Sequence, residues 1–355
     1  MLSWKNAVRI TPNLRACRRA MPYPFERYVN TAFSIEDAAR ECPDGVALTD
    51  FGKNYTYGKL NALVHKRRAA LCRPAKGRPY VLVGDNRLDV FVTLYALLEE
   101  RIPFLLLHPT LTEHEKEALL KQIHAIDAPI PDGVAAVLMT SGTTGTPKPA
   151  MLTRSALAAS AWSSAQNIAL TKHDAWLMSL SVSRIGGLSI LTRSLAARSR
   201  VVLFPHFCSR EFICALKENA VTLASIVPTM LAKLLEEFPD FKPESSLRAI
   251  LLGGSFASRT LLDDARGRGI PIVTTYGMTE TASNVATSAY TERLTLGAKA
   301  RANTLAELSV QNGTLHVRGP MRMAGYWGHP LLREDAWFDT CLLYTSPSPR
   351  DYAAS

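Results

Sequence analysis

The sequence predicts an α/β protein built on parallel strands joined by crossover helices. Three observations carry that reading. Short apolar runs of strand length alternate with longer segments of helical length. Several apolar runs stop at glycine-rich turns, as strands do where a binding loop or helix must begin. The 355 residues, 47% hydrophobic, supply a full core for one or two domains.

The elements follow in chain order. Ser34 is placed to cap a helix, with Asp37 at the capping-box position three residues on. Strands are expected at 81–83 and 104–107, with an apolar helix at 90–98 between them. Residues 112–123 are charged and amphipathic, hence a surface helix. A buried strand is expected at 134–139 and a helix at 155–165. Beyond them come strands at 201–204, 223–226, 249–250 and 272–274, and helices at 229–237 and 259–268. No internal repeat is visible, and a subdomain boundary is placed near Thr171.

Composition narrows the function classes. No apolar run reaches membrane-spanning length, which predicts a cytoplasmic protein without a membrane span. Cys17, Cys42, Cys72, Cys208, Cys214 and Cys341 form no C-x-x-C pair, so neither a zinc site nor a disulfide framework is indicated. The histidines are dispersed and read as surface or internally satisfied residues. The net charge of +10 suits phosphate-rich substrates. Much of it is local, because Lys5, Arg9, Arg15, Arg18 and Arg19 all precede the first acid, Glu26. Residues 1–30 therefore read as a basic extension: a transit segment, a nucleic-acid arm, or simply sequence ahead of a natural start at Met21. Nothing else indicates nucleic-acid binding, since zinc spacing, a recognition helix and an aromatic-basic repeat are all missing.

The chemistry-bearing stretch is Met139-Thr140-Ser141-Gly142-Thr143-Thr144-Gly145-Thr146-Pro147-Lys148. Glycines let backbone N–H groups close on an anion, the hydroxyls add donors, and Lys148 adds a mobile positive charge. A plain solvent loop is the other reading of such a cluster. The Walker pattern does not fit, because Lys148 stands beyond Thr146-Pro147 and precedes Pro149. The order instead resembles the phosphate loop of the adenylate-forming superfamily: acyl- and aryl-CoA ligases, peptide-synthetase adenylation domains and luciferases. Further stretches resemble that superfamily in the same order along the chain. Thr56-Tyr57-Gly58-Lys59-Leu60 is similar to an early helix start, and Asp85-Asn86 to Leu106 to its first strand–helix–strand unit. Leu251-Leu252-Gly253-Gly254-Ser255 resembles the adenine-contacting turn, and Thr274-Thr275-Tyr276-Gly277-Met278-Thr279-Glu280-Thr281 the second nucleotide motif. Gly313-Thr314-Leu315-His316-Val317-Arg318-Gly319-Pro320 and Gly325-Tyr326-Trp327 resemble a later structural motif.

The resemblance, spanning 35–340, implies two related α/β subdomains plus a small β-barrel, the large N-terminal part of such enzymes. It implies ATP, Mg²⁺ and CoA as ligands, with a carboxylic acid as substrate. Thr140, Ser141, Gly142, Thr143, Thr144, Gly145 and Lys148 are assigned to the phosphates, with Thr279 on the α-phosphate and Glu280 on Mg²⁺. Gly253, Gly254, Ser255 and Tyr276 are assigned to adenine; Lys148, Thr279 and Glu280 are the catalytic candidates. The stretch from Leu180 to Leu191 resembles the acid-binding loop of o-succinylbenzoate–CoA ligases of the menaquinone pathway, with Ser181 where Pro is usual and Arg184 where His is usual. Arg184, Gly187 and Leu188 are its substrate candidates, joined by Gly277, Met278 and Thr281 through adjacency. Arg184 either pairs with a second carboxylate or faces solvent. Ile226-Val227-Pro228-Thr229 is similar to another pocket-lining stretch.

After Trp337-Phe338-Asp339-Thr340 the superfamily continues with Gly-Asp, whose carboxylate holds the ribose; here Cys341 follows. Residues 341–355 resemble a translated sequencing adapter and are expected not to be of biological origin, the other reading being a Ser/Pro tail. On that expectation the ribose Asp and the small lysine-bearing C-terminal domain are absent, and the chain is inactive or nearly so in adenylation. A peptide-synthetase-type adenylation domain and a non-catalytic nucleotide binder are the competing functions.

Overall fold

The computed structural model describes residues 25–140 and 147–343. Two large sheets and one small sheet make up the fold. The five-stranded sheet has the order β16-β6-β5-β4-β3, from β3 (Tyr80–Val83), β4 (Phe104–Leu107), β5 (Val134–Thr140), β6 (Lys148–Thr153) and β16 (Gly325–Tyr326). β3, β4 and β5 run parallel, while β6 and β16 add antiparallel strands at one side.

The nine-stranded sheet has the order β13-β12-β11-β10-β9-β7-β8-β1-β2. Its strands are β1 (Val46–Asp50), β2 (Lys53–Thr56), β7 (Ala175–Met178), β8 (Arg200–Leu203), β9 (Leu223–Ile226), β10 (Ala249–Leu252), β11 (Ile272–Met278), β12 (Ser283–Ser288) and β13 (Ala300–Ala302). From β11 through β10, β9, β7 and β8 to β1 all neighbours are parallel; β2, β12 and β13 are antiparallel additions. Every residue of β4, β7, β9 and β10 is buried. That burial on both faces explains why these strands read as continuous apolar runs without alternation. β14 (Glu307–Gln311), β15 (Thr314–Arg318) and β17 (Phe338–Leu343) form a three-stranded antiparallel sheet. Where a small barrel is expected, these are the strands among the described residues.

Helices cover the sheets as their sequences require. In helix Leu88–Glu99 every residue from Val90 to Leu98 is buried, so this apolar segment is an interior helix. Helix Glu113–His124 buries Ile123 alone and starts with a complete capping box between Thr112 and Glu115, as a surface helix should. Ser34 and Thr56 cap helices Ile35–Glu41 and Tyr57–Ala69. Helix Arg154–Ile168 packs on helix Ile185–Ala197, and one buried cluster holding Leu106, Leu138, Trp176, Leu251 and Val273 joins the two large sheets. Residues 25–30, read as part of the basic extension, fall within helix Phe25–Thr31. Buried Arg154 donates to the carbonyls of Val29, Asn30 and Leu98, which ties that helix to the body of the protein.

Two sequence expectations change here. The stretch after Leu180, expected as a loop, is a short turn followed by helix Ile185–Ala197, because Leu188, Ile190, Leu191 and Leu195 fall on a buried face. The strand expected at 272–274 continues to Met278, carried by pairing with β12. Strands β3 to β6 lie in one sheet and β7 to β13 in the other; the hairpin β1–β2, although early in sequence, belongs to the larger sheet. No helix among the described residues is long and apolar enough to cross a membrane, and Cys42, Cys72, Cys208, Cys214 and Cys341 are free thiols.

Candidate active site

The nucleotide motifs meet where the two large sheets approach each other. β5 and β6 pair antiparallel with Thr140 opposite Lys148, so the phosphate-loop stretch is the connection between them. Ser141, Gly142, Thr143, Thr144 and Gly145 lie outside the described residues. Thr140 is buried, and its hydroxyl has no partner among the described residues. On the far side of β6 lies β16, with Tyr326 opposite Ala150. Lys148 Nζ sits 5.5 Å from the centre of the Tyr326 ring, within cation–π range.

The Tyr326 hydroxyl donates to Glu280 Oε1 at 2.8 Å. Glu280 is buried in the single turn Thr279–Thr281 that follows β11, and its carbonyl accepts from Met323 N–H at 2.8 Å. Lys148, Tyr326 and Glu280, each from a different part of the chain, thus form one contiguous site. Burial raises the pKa of Tyr326, and its hydrogen bond to Glu280 raises it further. The phenol therefore remains a donor at neutral pH.

Around Glu280 the backbone is drawn tight. A Cβ on Gly277 would lie 1.9 Å from the Ser283 carbonyl oxygen, so only glycine fits between β11 and β12. Ala282 and Ser283 take left-handed φ values of 48° and 97°. Thr281, fully buried, accepts from Met278 N–H at 3.1 Å, and its hydroxyl lies 2.8 Å from the Ser283 carbonyl. Its position makes it an internal brace of this turn. Half-buried Thr279 opens the turn, and Met278 and Gly277 are also partly exposed.

The adenine candidates come together at strand ends. β10 stops at Leu252, and Gly253 packs so closely on Thr275 that a Cβ would lie 2.2 Å from its hydroxyl. Gly254 has φ +90°, and Gly254 and Ser255 are exposed beside the β11 segment that carries Tyr276. Burial raises the Tyr276 pKa, opposed by a hydrogen bond with Thr340 and reinforced by the Glu280 charge. These groups lie beyond the carboxyl ends of parallel strands, where open α/β sheets bind ligands. Val227 and Pro228, from the other pocket-lining stretch, start helix Pro228–Glu237 next to Gly254.

On the acid side, Arg184 is the N-terminal cap residue of helix Ile185–Ala197, exposed and without an ion pair among the described residues. Gly187 is required by packing, since a Cβ there would lie 2.1 Å from the Ser181 carbonyl oxygen. Leu188 is fully buried in the main core and so shapes the site from behind. The site also holds residues that sequence reasoning passed over. His108, just after β4, has its pKa lowered by burial and by the Arg184 charge, so it lies within electrostatic reach of Arg184. Asn86 donates to the carbonyls of Met178, Leu180 and Phe204 and accepts from Val182 N–H, fixing the turn before Arg184. Tyr326 was visible only as part of a structural motif.

Among the described residues no group of three His, Cys, Asp or Glu side chains is placed to hold a metal. Glu280 fits Mg²⁺ in another way. Tyr326 occupies Oε1, and Oε2 makes no hydrogen bond among the described residues. One carboxylate oxygen shared with substrate phosphates is the mode Mg²⁺ favours over a protein cage.

An open α/β sheet with a phosphate turn, an adenine turn and a buried acidic residue at their junction defines an adenylate-binding protein. The chain belongs to the AMP-binding enzyme family, whose characteristic sequence matches residues 120–327. It is 37% identical to the 2-succinylbenzoate–CoA ligase of Bacillus licheniformis over 59% of this chain and 46% of that one. The chain thus spans about half the length of that relative. The Geobacillus kaustophilus 2-succinylbenzoate–CoA ligase is 30% identical over 84% of this chain and 71% of its own length. Among solved structures, Bacillus subtilis o-succinylbenzoate CoA synthetase bound to ATP and magnesium ion superposes with a TM-score of 0.73 at 27% identity, covering 86% of this chain and 75% of that one. The same synthetase with its acyl-adenylate intermediate gives a TM-score of 0.74 at 26% identity, covering 86% and 94%.

Proposed function

We propose that this chain activates a carboxylic acid with ATP and that the activated acyl group then passes to CoA. In the first step a carboxylate oxygen attacks the α-phosphorus of ATP, and the bond to the β-phosphate oxygen breaks, releasing pyrophosphate. In the second step a CoA thiolate attacks the acyl carbon and AMP leaves. The observation that carries this reading is the junction of Lys148, Tyr326 and Glu280 beside the phosphate-motif connection between β5 and β6.

The roles follow from chemistry. Lys148 and the donors Thr140, Ser141, Thr143 and Thr144 balance charge on the β- and γ-phosphates as pyrophosphate departs, with Gly142 and Gly145 allowing close approach. Thr279 donates to the α-phosphate, and Glu280 holds Mg²⁺. Bound Mg²⁺ would supply charge neutralisation between phosphate oxygens. Gly253, Gly254, Ser255 and Tyr276 receive adenine. Met278, Thr281, Gly187 and Leu188 set the shape on the acid side, some from beneath the surface; Gly277, a candidate there by adjacency, also lets β11 and β12 close under Glu280 and so serves the nucleotide side.

The proposed acid is an aromatic dicarboxylate of the o-succinylbenzoate type, an intermediate of menaquinone formation, and the proposed location is the cytoplasm. Exposed, unpaired Arg184 supports this, because a guanidinium can hold the second carboxylate in a bidentate pair. We also propose that residues 341–355 stand where a family sequence beginning with Gly would run. Cys341 takes φ 56°, a region that glycine enters without steric cost.

Calorimetric binding of non-hydrolysable acyl-adenylate mimics to the chain tests the reading. The o-succinylbenzoyl mimic should bind at least about tenfold tighter than fatty-acyl or aminoacyl mimics. Preference for a fatty-acyl mimic would move the chain to another acid–CoA ligase, and preference for an aminoacyl mimic to a peptide-synthetase-type domain.

A further inference from the structure

The site brings a lysine and a glutamate of opposite charge onto one tyrosine in a partly buried junction, yet neither pairs with the other. Among the described residues no ion pair joins Lys148 or Glu280 to any partner. Both are held by Tyr326. Its hydroxyl holds Glu280 Oε1 at 2.8 Å, and Lys148 Nζ rests 5.5 Å from its ring centre.

Tyr326 is itself immobilised by backbone. Ala324 N–H donates to the Met151 carbonyl at 2.9 Å, Trp327 N–H to the Pro149 carbonyl at 2.8 Å, and Met323 N–H to the Glu280 carbonyl at 2.8 Å. Buried Trp327 anchors the far end through its indole N–H on the Ala128 carbonyl. The short strand β16 therefore buckles the phosphate hairpin to the Glu280 turn and sets the ring at a fixed place.

We propose that Tyr326 is a positioning residue with two separable actions. Its hydroxyl selects the Glu280 rotamer that offers Oε2 to a divalent cation, and its ring keeps Lys148 and Glu280 from neutralising each other before ATP arrives. Without the ring, Coulomb attraction in this half-buried setting would close the gap, and both groups would have to be separated again at each binding event. The inference rests on the nucleotide-site reading above.

The test measures ATP affinity by calorimetry with and without Mg²⁺. Tyr326→Phe keeps the ring, so affinity without Mg²⁺ should hold while the gain on adding Mg²⁺ falls about tenfold. Tyr326→Ala should lose affinity in both conditions, and adding Glu280→Gln should restore the Mg²⁺-free affinity by releasing Lys148. A merely structural role would not produce that rescue. An unchanged Mg²⁺ gain in Tyr326→Phe, or no rescue in the double variant, would overturn the proposal. A crystal structure of unliganded Tyr326→Ala gives a nucleotide-independent decision. Lys148 and Glu280 in direct contact, within about 4 Å, are expected; groups still apart would refute the spacer role. A wild-type chain that binds no ATP would sink the nucleotide-site reading alone, because the crystal structure still decides the spacer.

Discussion

The nucleotide side and the acid side of this site use similar parts to different effect. Each has a glycine that admits no Cβ, Gly277 against Ser283 and Gly187 against Ser181. Each carries a cation, Lys148 or Arg184. On the nucleotide side three chain segments are cross-linked by hydrogen bonds around Glu280. On the proposed acid side the exposed Arg184 caps a helix with no ion pair among the described residues, within electrostatic reach of His108. Phosphates have a fixed geometry and charge, so their site can be rigid throughout. An acid differs from one enzyme to the next, and a single replaceable side chain on a rigid helix end lets recognition change without disturbing the fold.

The glycines test this contrast most severely. Gly277→Ala and Gly187→Ala should each destabilise the fold by about 3 kcal/mol, read from chemical denaturation, because both added Cβ atoms meet backbone rather than a yielding side chain. Gly277→Ala should also abolish ATP binding, whereas the fraction of Gly187→Ala that stays folded should bind ATP normally. Equal loss of ATP binding in both would erase the distinction between the two sides.

The cations come next. Lys148→Ala should weaken ATP binding by about 2 kcal/mol, roughly thirtyfold in Kd, as expected for removing a charge-assisted contact to phosphate. Arg184→Gln should leave ATP affinity unchanged and cut the preference for a dicarboxylic over a monocarboxylic adenylate mimic about tenfold. If Arg184→Gln weakens ATP instead, the acid-side assignment fails.

Smaller effects sharpen the picture. Cys341→Gly should stabilise the chain by about 1 kcal/mol in thermal or chemical melts, since φ 56° is costly for a residue with a Cβ. Arg184→Gln should raise the His108 pKa toward its ordinary value, because removing a nearby cation favours the imidazolium while burial continues to oppose it. Proton NMR of the imidazole would show the shift, and an unmoved pKa would mean that Arg184 lies beyond electrostatic reach of His108.

Strands buried on both faces were legible as short apolar runs, which is why β4 and β9 occur where 104–107 and 223–226 were expected. β1, β2, β6, β7 and β12 to β17 were not expected as strands. β6 includes Lys148 and Pro149, and β12 is Ser-Asn-Val-Ala-Thr-Ser, so neither carries an apolar signature; pairing with neighbours makes them strands. In the proposed site, Lys148, Thr279 and Glu280 could be put forward from sequence because phosphate chemistry calls for those residue types at fixed places in a motif. Thr281 was chosen by adjacency and Leu188 from the acid-loop resemblance, and both are fully buried. Tyr326, His108 and Asn86 gave no such signal, because their partners lie 46 residues away for Tyr326 and 92 or more for the three carbonyls that Asn86 holds.

The sequence by itself determined the α/β class and the family, since local periodicity and short motifs encode backbone state and chemical type. Tertiary structure alone decided that β16 clasps the hairpin and that Tyr326 touches both Lys148 and Glu280. Those contacts arise where distant segments fold onto one another, and a contact between remote residues leaves no periodicity or spacing in a single chain to be read.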